Sequence, residues 1–491
     1  MSEQKDLVTA RRNEPWREEL RKAHTGKERM AIPRVKMTEV DPHERARSLT
    51  KEVNCGLTEE EARREAIRCL DCANPSCMEG CPVSINIPSF IKNVERGDFA
   101  SAAHIIRESS SLPAVCGRVC PQEKQCEKHC IYTEKMKRDA VAIGYLERFV
   151  ADYERENGLY ELPEMAPANG KKIAVIGSGP AGLSFAGDMA RWGYDVTVFE
   201  ALHEVGGVLK YGIPEFRLPL RVVNAELKIL EQMGVHFETN VVVGRTLSHE
   251  QLQEMGFAGI FVGSGAGLPN FMNIPGENLA GVMSSNEYLT RVNLMGAGTE
   301  GAETPIYKGD VVAVIGGGNT AMDSVRTALR LGAKRAMIVY RRSEEEMPAR
   351  HEEILHAKAE GVEFLTLHNP IEYEGNEKGK VCRMKLQRME LGDPTPDGRR
   401  KPVPIPGAID EVDVDVVVVS IGVSPNPLIP RSFQGLEVSP KGTVIVNEQN
   451  QSSIKEVYAG GDIVRGGATV ILAMGDGRKA AANMHAALSQ Q

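Results

Sequence analysis

No apolar run in the 491-residue sequence is long enough to cross a bilayer. The longest run, Val416–Val423, is far shorter than a membrane-spanning helix, which needs about 20 residues, and it predicts a buried strand instead. The N-terminus lacks the apolar segment of a signal peptide. We therefore predict a cytoplasmic protein without a membrane partner.

An excess of positive charge is also missing. The net charge is −8, which argues against a nucleic-acid partner. The chain is too long for one hydrophobic core, so we expect roughly two to four domains. A hydrophobic content of 42% with 48 glycines is typical of a soluble α/β protein.

Cysteine is nearly absent outside one segment. Nine of the ten cysteines lie between Cys55 and Cys130, and Cys382 is the exception. Disulfides are rare in cytosolic proteins. Such crowding in one segment therefore indicates metal binding rather than cross-linking. A disulfide-reductase mechanism is disfavoured as well, because the later glycine-rich segments contain no C-x-x-C pair.

The crowded cysteines form two groups. Cys69–Pro82 has the spacing C-x2-C-x4-C-x3-C-P, and Cys116–Cys130 has C-x3-C-x5-C-x3-C. Structural zinc sites usually show paired short knuckles separated by a finger-sized loop. Here four cysteines run together in each group, and both groups contain C-x3-C-P. This pattern favours two [4Fe–4S] clusters, in which the cysteine before proline serves the other cluster. Zinc and inert thiols remain the alternatives.

A carboxylate lies close to these groups in sequence. The segment Ala140–Glu156 predicts a helix with an apolar face, and Glu147 is at the edge of that face. A buried carboxylate needs a partner, and a metal is one. A partly exposed Glu147 on the helix shoulder is the alternative.

The segment Lys171–Glu200 predicts a strand, a glycine turn, a helix and a second strand that ends in an acid. Glycines spaced G-x-G-x-x-G allow a tight turn and close approach of a pyrophosphate, and the acid binds ribose hydroxyls. This is the pattern of a dinucleotide-binding fold. The predicted cofactor-binding residues here are Gly177, Gly179, Pro180, Ala181, Gly182, Glu200 and Gly207.

A second copy of the pattern covers Gly309–Arg350. Two arginines take the place of the acid, and a guanidinium pair binds a 2′-phosphate that an acid would repel. The second site is therefore predicted to prefer NADPH, unless the arginines are simply solvated. Its predicted binding residues are Gly316, Gly318, Asn319, Thr320, Ala321, Arg341 and Arg342.

Two dinucleotide sites suggest a flavin and a nicotinamide. The segment Glu456–Met484 predicts a strand, a turn and a helix. An acid in that turn is suited to a ribityl hydroxyl, and amides at the helix start are suited to the flavin ring, although an ordinary turn acid is the alternative. The residues are Gly461, Asp462, Ala468, Thr469 and Val470.

These motifs resemble the glutamate synthase (NADPH) small-subunit family. That family includes homotetrameric glutamate synthases and the large subunit of NADH-dependent ferredoxin:NADP oxidoreductase, and the N-terminal half of dihydropyrimidine dehydrogenase is a relative. The resemblance extends from about Leu57 to the C-terminus. It is carried by "RCLDCANPSCMEGCPV", "LPAVCGRVCPQEKQCEKHC", "VIGSGPAGL", "VIGGGNTAMD", "YRRSEEEMPAR" and "AGGDIVRGGATVILAMGDGRKAA".

The resemblance implies an α/β protein with an N-terminal α-helical iron–sulfur domain and two Rossmann-like domains, the NADPH domain being inserted into the FAD domain. The expected ranges are 1–45 for an extension without an assigned role, 46–165 for the clusters, 166–308 and 424–491 for FAD, and 309–423 for NADPH. It also implies one cluster on Cys69, Cys72, Cys77 and Cys130, and another on Cys81, Cys120, Cys126 and Glu147. Cys116 would then be unliganded.

The implied activity is transfer of a hydride from NADPH to FAD and of electrons onward through two [4Fe–4S] clusters. No protein acid or base is required, because the cofactors carry the chemistry. The alternative functions are the large subunit of an electron-bifurcating NADH-dependent ferredoxin:NADP oxidoreductase and a diaphorase similar to sulfide dehydrogenase. The expected partner is a glutamate synthase large subunit or a ferredoxin/NAD-reducing flavoprotein subunit, with a homo-oligomer as a further alternative.

Overall fold

A computed structural model gives the fold and describes residues 2–396 and 398–490. The chain begins with a helical region. Capping boxes at Thr25 and Thr58 start two of its helices, and Gly97, with φ of +84°, ends another. The helices are α1 (Ser2–Arg12), α2 (Pro15–Ala23), α3 (Gly26–Ala31), α4 (Pro42–Arg45), α5 (Glu59–Ile67), α6 (Ser76–Glu79), α7 (Ile87–Arg96), α8 (Phe99–Arg107), α9 (Pro113–Val119), α10 (Ile131–Glu134) and α11 (Ile143–Glu156).

A parallel sheet follows, and four of its five strands end in buried residues. The burial explains why these strands read as apolar runs rather than as alternating patterns. The elements are β1 (Lys172–Ile176), α12 (Pro180–Arg191), β2 (Asp195–Phe199), α13 (Val208–Tyr211), α14 (Leu220–Gln232), β3 (His236–Glu238), α15 (His249–Glu254) and β4 (Phe257–Val262).

The next part of the chain builds a second parallel sheet and a long antiparallel hairpin. Its elements are β5 (Leu268–Pro269), β6 (Val282–Ser284), α16 (Ser285–Leu289), β7 (Val311–Ile315), α17 (Asn319–Arg330), β8 (Arg335–Tyr340), α18 (His351–Ala359), β9 (Glu363–Thr366), β10 (His368–Gly375), β11 (Val381–Pro394), β12 (Arg400–Asp413), β13 (Val416–Val419) and β14 (Val423–Ser424).

The chain then returns to the first sheet. The last elements are α19 (Leu428–Ser432), β15 (Val457–Ala459), α20 (Asp462–Arg465) and α21 (Val470–Ser489). The strand orders are β15-β4-β1-β2-β3 and β6-β13-β7-β8-β9 for the parallel sheets, and β10-β11-β12 for the antiparallel one. The two short strands β5 and β14 pair with each other where the chain passes between the sheets.

The predicted fold class, with one dinucleotide-binding fold inserted into another, is confirmed. Two details differ from the predictions. The strand β6, inside the range 166–308, pairs with β13 of the second sheet. The apolar run Val416–Val423 is split, because Gly422 has φ of +106° and breaks the strand.

The helical region and the first parallel sheet share one hydrophobic core. Buried side chains of α9 and α11 belong to the same cluster as those of α12 and α21. Within the described residues, no helix combines the length and the apolar character needed to cross a membrane.

Candidate functional site

The first glycine turn is shaped by close backbone contacts. Gly177 has φ of +97°, and a Cβ there would lie 2.7 Å from the Gly263 carbonyl oxygen. A Cβ on Gly182 would collide with the Gly177 carbonyl oxygen. Gly179, by contrast, faces open space, with no heavy atom within 4 Å of a Cβ built on it. The turn therefore leaves room at the start of α12, where a pyrophosphate would meet backbone amides.

Glu200 follows β2 directly and is already held by the protein. Its carboxylate accepts hydrogen bonds from the Ser178 amide at 2.9 Å, the Ser178 hydroxyl at 2.5 Å and the Leu202 amide at 2.9 Å. These bonds fix the carboxylate at the carboxyl edge of the sheet. Gly207, with φ of +53°, lies against the turn, since a Cβ on it would be 2.9 Å from Gly179 Cα.

The C-terminal segment completes the first site. Gly461 has φ of +76°, and a Cβ on it would be 3.0 Å from the Cβ of Ala181 in α12. Burial raises the pKa of Asp462, while a hydrogen bond from the Ala468 amide opposes that rise. Thr469 caps α21, and Ala473 in the first turn of that helix lies beside Gly461, since its Cβ would be 3.4 Å from a Cβ built there. The structure thus brings the two halves of the predicted FAD site together.

The second glycine turn repeats the first. Gly316 has φ of +139°, and a Cβ on it would collide with the Ser420 carbonyl oxygen, whereas Gly318 faces open space. Asn319 begins α17, followed by Thr320 and the buried Ala321, and its side-chain oxygen accepts a hydrogen bond from the Arg350 amide at 2.8 Å. This turn also has room for a pyrophosphate.

The two arginines after β8 have different surroundings. Arg341 is exposed. Arg342 is buried, and its Nε donates to the Arg400 carbonyl oxygen at 2.8 Å, at the start of β12. The structure therefore does not present them as a matched exposed pair.

Four cysteines from both sequence groups line one cavity. Apolar side chains of α7 and the segment 131–143 form its other walls. Burial raises the pKa of the Cys69 thiol to about 11. Buried thiols of this kind are held as thiolates only by a strong positive charge, such as a metal centre supplies. The four are Cys69, Cys72, Cys77 and Cys130.

Four further cysteines lie near Glu147. Burial raises the pKa of this carboxyl to about 8, with the charge of Glu226 adding to the rise. Its Oε1 has no hydrogen-bond partner among the described residues. Its charge raises the pKa values of nearby thiols in addition to the effect of their burial. Those thiols belong to Cys81, Cys116, Cys120 and Cys126.

An unpartnered buried carboxylate oxygen next to buried thiols fits a metal-cluster site, because an uncompensated buried carboxylate is otherwise costly. No three His, Cys, Asp or Glu side chains of the described residues are placed to hold a metal ion.

The helix α21 connects the first glycine turn to the cysteines around Glu147. At its start, the side-chain nitrogen Nε2 of Gln125 lies 3.5 Å from the Thr469 hydroxyl. Further along, Met474 Sδ lies 3.5 Å from Cys116 Sγ. A Cβ on Gly475 would be 2.9 Å from the carbonyl oxygen of Pro82, which follows Cys81. Sequence spacing gave no signal for these contacts.

The N-terminal extension, for which the sequence suggested no role, packs beside the four-cysteine cavity. Arg17 of α2 binds Asp71 at 2.5 Å, and both are buried. Arg29 of α3 donates to the Ile67 carbonyl oxygen at 2.6 Å and to that of Cys69 at 3.4 Å. The extension therefore fixes the loop that carries Cys69 and Cys72.

Two known protein families match separate parts of the chain, one covering the cysteine groups and the other covering the glycine turns. Residues 45–159 match the family described as dihydropyrimidine dehydrogenase domain II, 4Fe-4S cluster. Residues 171–477 match the family described as pyridine nucleotide-disulphide oxidoreductase.

Similar proteins are known in several bacteria. The glutamate synthase [NADPH] small chain of Halomonas elongata is 38% identical, covering 86% of this chain and 89% of its own. That of Escherichia coli K12 is 36% identical, covering 91% and 96%. The NADP(+)-dependent formate dehydrogenase subunit beta of Moorella thermoacetica is 37% identical, covering 84% of this chain and 60% of that subunit.

Among solved structures, Mycobacterium tuberculosis FprA in complex with NADPH superimposes with a TM-score of 0.55. It is 22% identical and covers 65% of this chain and 85% of FprA. At that identity the likeness shows the fold alone.

Proposed function

The chain belongs to the glutamate synthase small-chain family, and we propose on that premise that it oxidises NADPH and passes the electrons to a partner subunit. The first glycine turn would hold FAD and the second NADPH. Bound FAD would connect the NADPH site to the iron–sulfur clusters, because flavins exchange hydride with nicotinamides and electrons with such clusters.

One observation carries the proposal. The helix α21 begins beside the first glycine turn and contacts the cysteine-rich segments at Met474 and Gly475. A flavin at the start of this helix would therefore have a protein contact that leads to the cysteines around Glu147. The chain's own residues would bind and orient the cofactors and exclude water, and none needs to act as an acid or a base.

We propose two [4Fe–4S] clusters, a number that the match to the 4Fe-4S family does not itself establish. The cavity of Cys69, Cys72, Cys77 and Cys130 supports one of them. For the other we propose Cys81, Cys120, Cys126 and Glu147, with Cys116 as a non-ligand. The unpartnered Glu147 oxygen supports this choice.

Cofactor content and activity test the proposal together. The anaerobically purified chain should contain about one FAD and about eight irons, as two cubane clusters require. It should reduce a tetrazolium dye with NADPH and much more slowly with NADH. About four irons, or zinc in their place, would contradict the two-cluster assignment, and equal rates with both nucleotides would contradict the NADPH preference.

The partner is a separate question. The glutamate synthase relatives favour a glutamate synthase large subunit. The formate dehydrogenase relative is almost as similar, at 37% identity, and favours electron transfer to or from a different subunit. Adding a glutamate synthase large chain with glutamine and 2-oxoglutarate should support NADPH oxidation if the first candidate is correct. Support only by a different partner subunit with its own electron acceptor would favour the second.

A further inference from the structure

A group of charged side chains is buried where three parts of the chain meet. Arg45 comes from the N-terminal extension and Arg217 from the segment between α13 and α14, whereas the others belong to α17, to α18 or to the residue after it. Each is nine-tenths buried or more. We call this the junction cluster; its members are Arg45, Arg217, Asp323, Arg326, Arg330, Glu353 and Glu360.

Two consecutive residues of the first domain insert into the second. Arg217 Nη1 donates to both carboxylate oxygens of Asp323, at 2.8 and 2.7 Å. Its Nε lies 3.1 Å from Glu353 Oε1. The fully buried Phe216 ring lies under the guanidinium groups of Arg326 and Arg330, whose Cζ atoms are 4.8 and 3.8 Å from the ring centroid. The inserted pair therefore makes ionic and cation–π contacts with α17 and α18 at once.

The inserted Arg217 holds α17, the helix at the second glycine turn. The proposed pyrophosphate site is the turn Gly316–Gly318 and the start of α17 at Asn319. Asp323 is four residues further along, one turn down the same face of α17. The pair Arg217–Asp323 therefore attaches the first two turns of this helix to the first domain.

The junction cluster fixes the orientation of the second dinucleotide-binding domain relative to the first. Ions buried in pairs need good geometry to offset desolvation, and removing one partner leaves the other uncompensated. A small rotation of the second domain would break the two bonds to Asp323 and the contact with Glu353 together. The N-terminal extension adds to this restraint, since Arg45 Nε donates to Glu360 at 2.9 Å. The cluster-binding region adds a second contact, because the Val53 amide donates to the Phe216 carbonyl oxygen at 3.0 Å.

We propose that Arg217 is a positioning residue for hydride transfer: by holding α17 against the first domain it fixes the nicotinamide relative to the flavin. The proposal rests on the function proposed above. In the step concerned, the hydride that NADPH loses on becoming NADP⁺ would pass to bound FAD. Arg217 would act through Asp323, to which it is bonded, rather than through a contact with either cofactor.

The test compares the holoprotein with its Arg217→Met variant. The rate of flavin reduction by NADPH is measured anaerobically by stopped flow, and NADP⁺ affinity is measured by equilibrium titration. Reduction should slow by about 10- to 100-fold, because small misplacement of reacting groups has effects of that size. NADP⁺ affinity should stay the same, since the nucleotide residues of the second domain are unchanged. The matched control is Arg221→Met, an arginine that is 62% exposed and bound to Glu52 at 3.1 Å.

Two further variants keep the test decisive. Arg217→Lys retains the charge but loses the planar fork, so it should restore part of the rate. If Arg217→Met does not fold, Asp323→Asn removes the charge from the other side of the pair and should slow flavin reduction in the same way.

Flavin reduction at the unaltered rate in Arg217→Met or Asp323→Asn would overturn the proposal. A parallel loss of rate and of NADP⁺ affinity would also overturn it, because Arg217 would then support the nucleotide site itself. An unaltered protein whose flavin NADPH does not reduce would instead contradict the function proposed above.

Discussion

At the scale of single residues, Glu147 shows how burial selects a role. Its carboxyl is buried beside four cysteines, and burial raises its pKa to about 8. Without a cation the group would be protonated at neutral pH. A metal centre would keep it ionised and give Oε1 the partner that the described residues do not supply.

We expect Glu147→Ala to alter the electron paramagnetic resonance signal of one reduced cluster and Cys116→Ala to leave both signals intact. The physical reason is that a ligand sets the field around an iron, whereas a thiol outside the ligand set does not. Glu156→Ala is the control, since Glu156 is 68% exposed on the same helix. Loss of a signal in Cys116→Ala, with none in Glu147→Ala, would favour an all-cysteine ligand set.

The arginines after β8 should have separable effects. Arg341 is exposed and free to meet a 2′-phosphate, so Arg341→Ala should weaken NADPH binding and change NADH binding little. A charge-assisted hydrogen bond is worth roughly 1.5–3 kcal/mol, or about 10- to 100-fold in affinity. Michaelis constants for the two nucleotides measure the effect.

Arg342→Ala, unlike Arg341→Ala, should lower the urea midpoint of unfolding, because it leaves the Arg400 carbonyl oxygen without its hydrogen-bond donor. Arg335→Ala, an exposed arginine of the same domain paired with Glu363, is the control. Equal losses for NADPH and NADH in Arg341→Ala would contradict a phosphate-binding role.

At the scale of elements, α17 and α18 are held by buried carboxylates. Burial tends to raise the pKa of Glu360, but the charges of Arg326 and Arg330 outweigh it and lower the pKa to about 2. An ionised Glu360 therefore stabilises the folded chain above its unfolded pKa of about 4.3. That contribution is lost as the pH falls from about 4.3 towards 2.

We predict that Glu360→Gln lowers the urea midpoint strongly at pH 6 and less at about pH 3, where the Glu360 carboxyl of the unfolded chain is already protonated and much of the stabilisation is lost. Comparing the two proteins at each pH removes the effect of acid on the cofactors, which both share. Glu363→Gln is a suitable control, because its partner Arg335 is exposed. A destabilisation that is the same at both pH values would contradict the assignment.

At the scale of the whole molecule, the N-terminal extension ties the parts together. Arg17 and Arg29 fix the loop that carries Cys69. Arg45 contacts the second dinucleotide-binding domain at Glu360. Just after the extension, the Ser48 carbonyl oxygen accepts a hydrogen bond from Arg330 Nε of the same domain at 3.1 Å. The extension is thus a strap across the cluster-binding and nucleotide-binding parts.

The described residues are accounted for by the helical region, the two dinucleotide-binding domains and the hairpin, which leaves no further region of about 100–150 residues for another domain. We therefore predict that the isolated chain oxidises NADPH with an artificial acceptor, releases no ammonia from glutamine and forms no glutamate. Assays of ammonia and glutamate with and without a large chain measure this. Glutamate from glutamine and 2-oxoglutarate with the purified chain alone would show that a second catalytic site exists.

The amino-acid sequence by itself determined the fold class and the local shape of both glycine turns. Gly177 and Gly316 need positive φ, and the residues around them form strand, turn and helix within about 30 consecutive positions. Such features depend on neighbours along the chain, so spacing alone specifies them. The cysteine spacing likewise indicated a metal-rich segment.

The tertiary structure alone decided which distant residues meet. The insertion of Arg217 between α17 and α18, the contact of Met474 with Cys116, and the burial of Arg342 depend on how separate elements pack. From sequence alone an arginine is expected to be exposed, because ionised groups are rarely buried without partners. The partners of Arg217 lie more than 100 residues away, at Asp323 and Glu353, and only folding brings their charges close enough to offset the cost of burial.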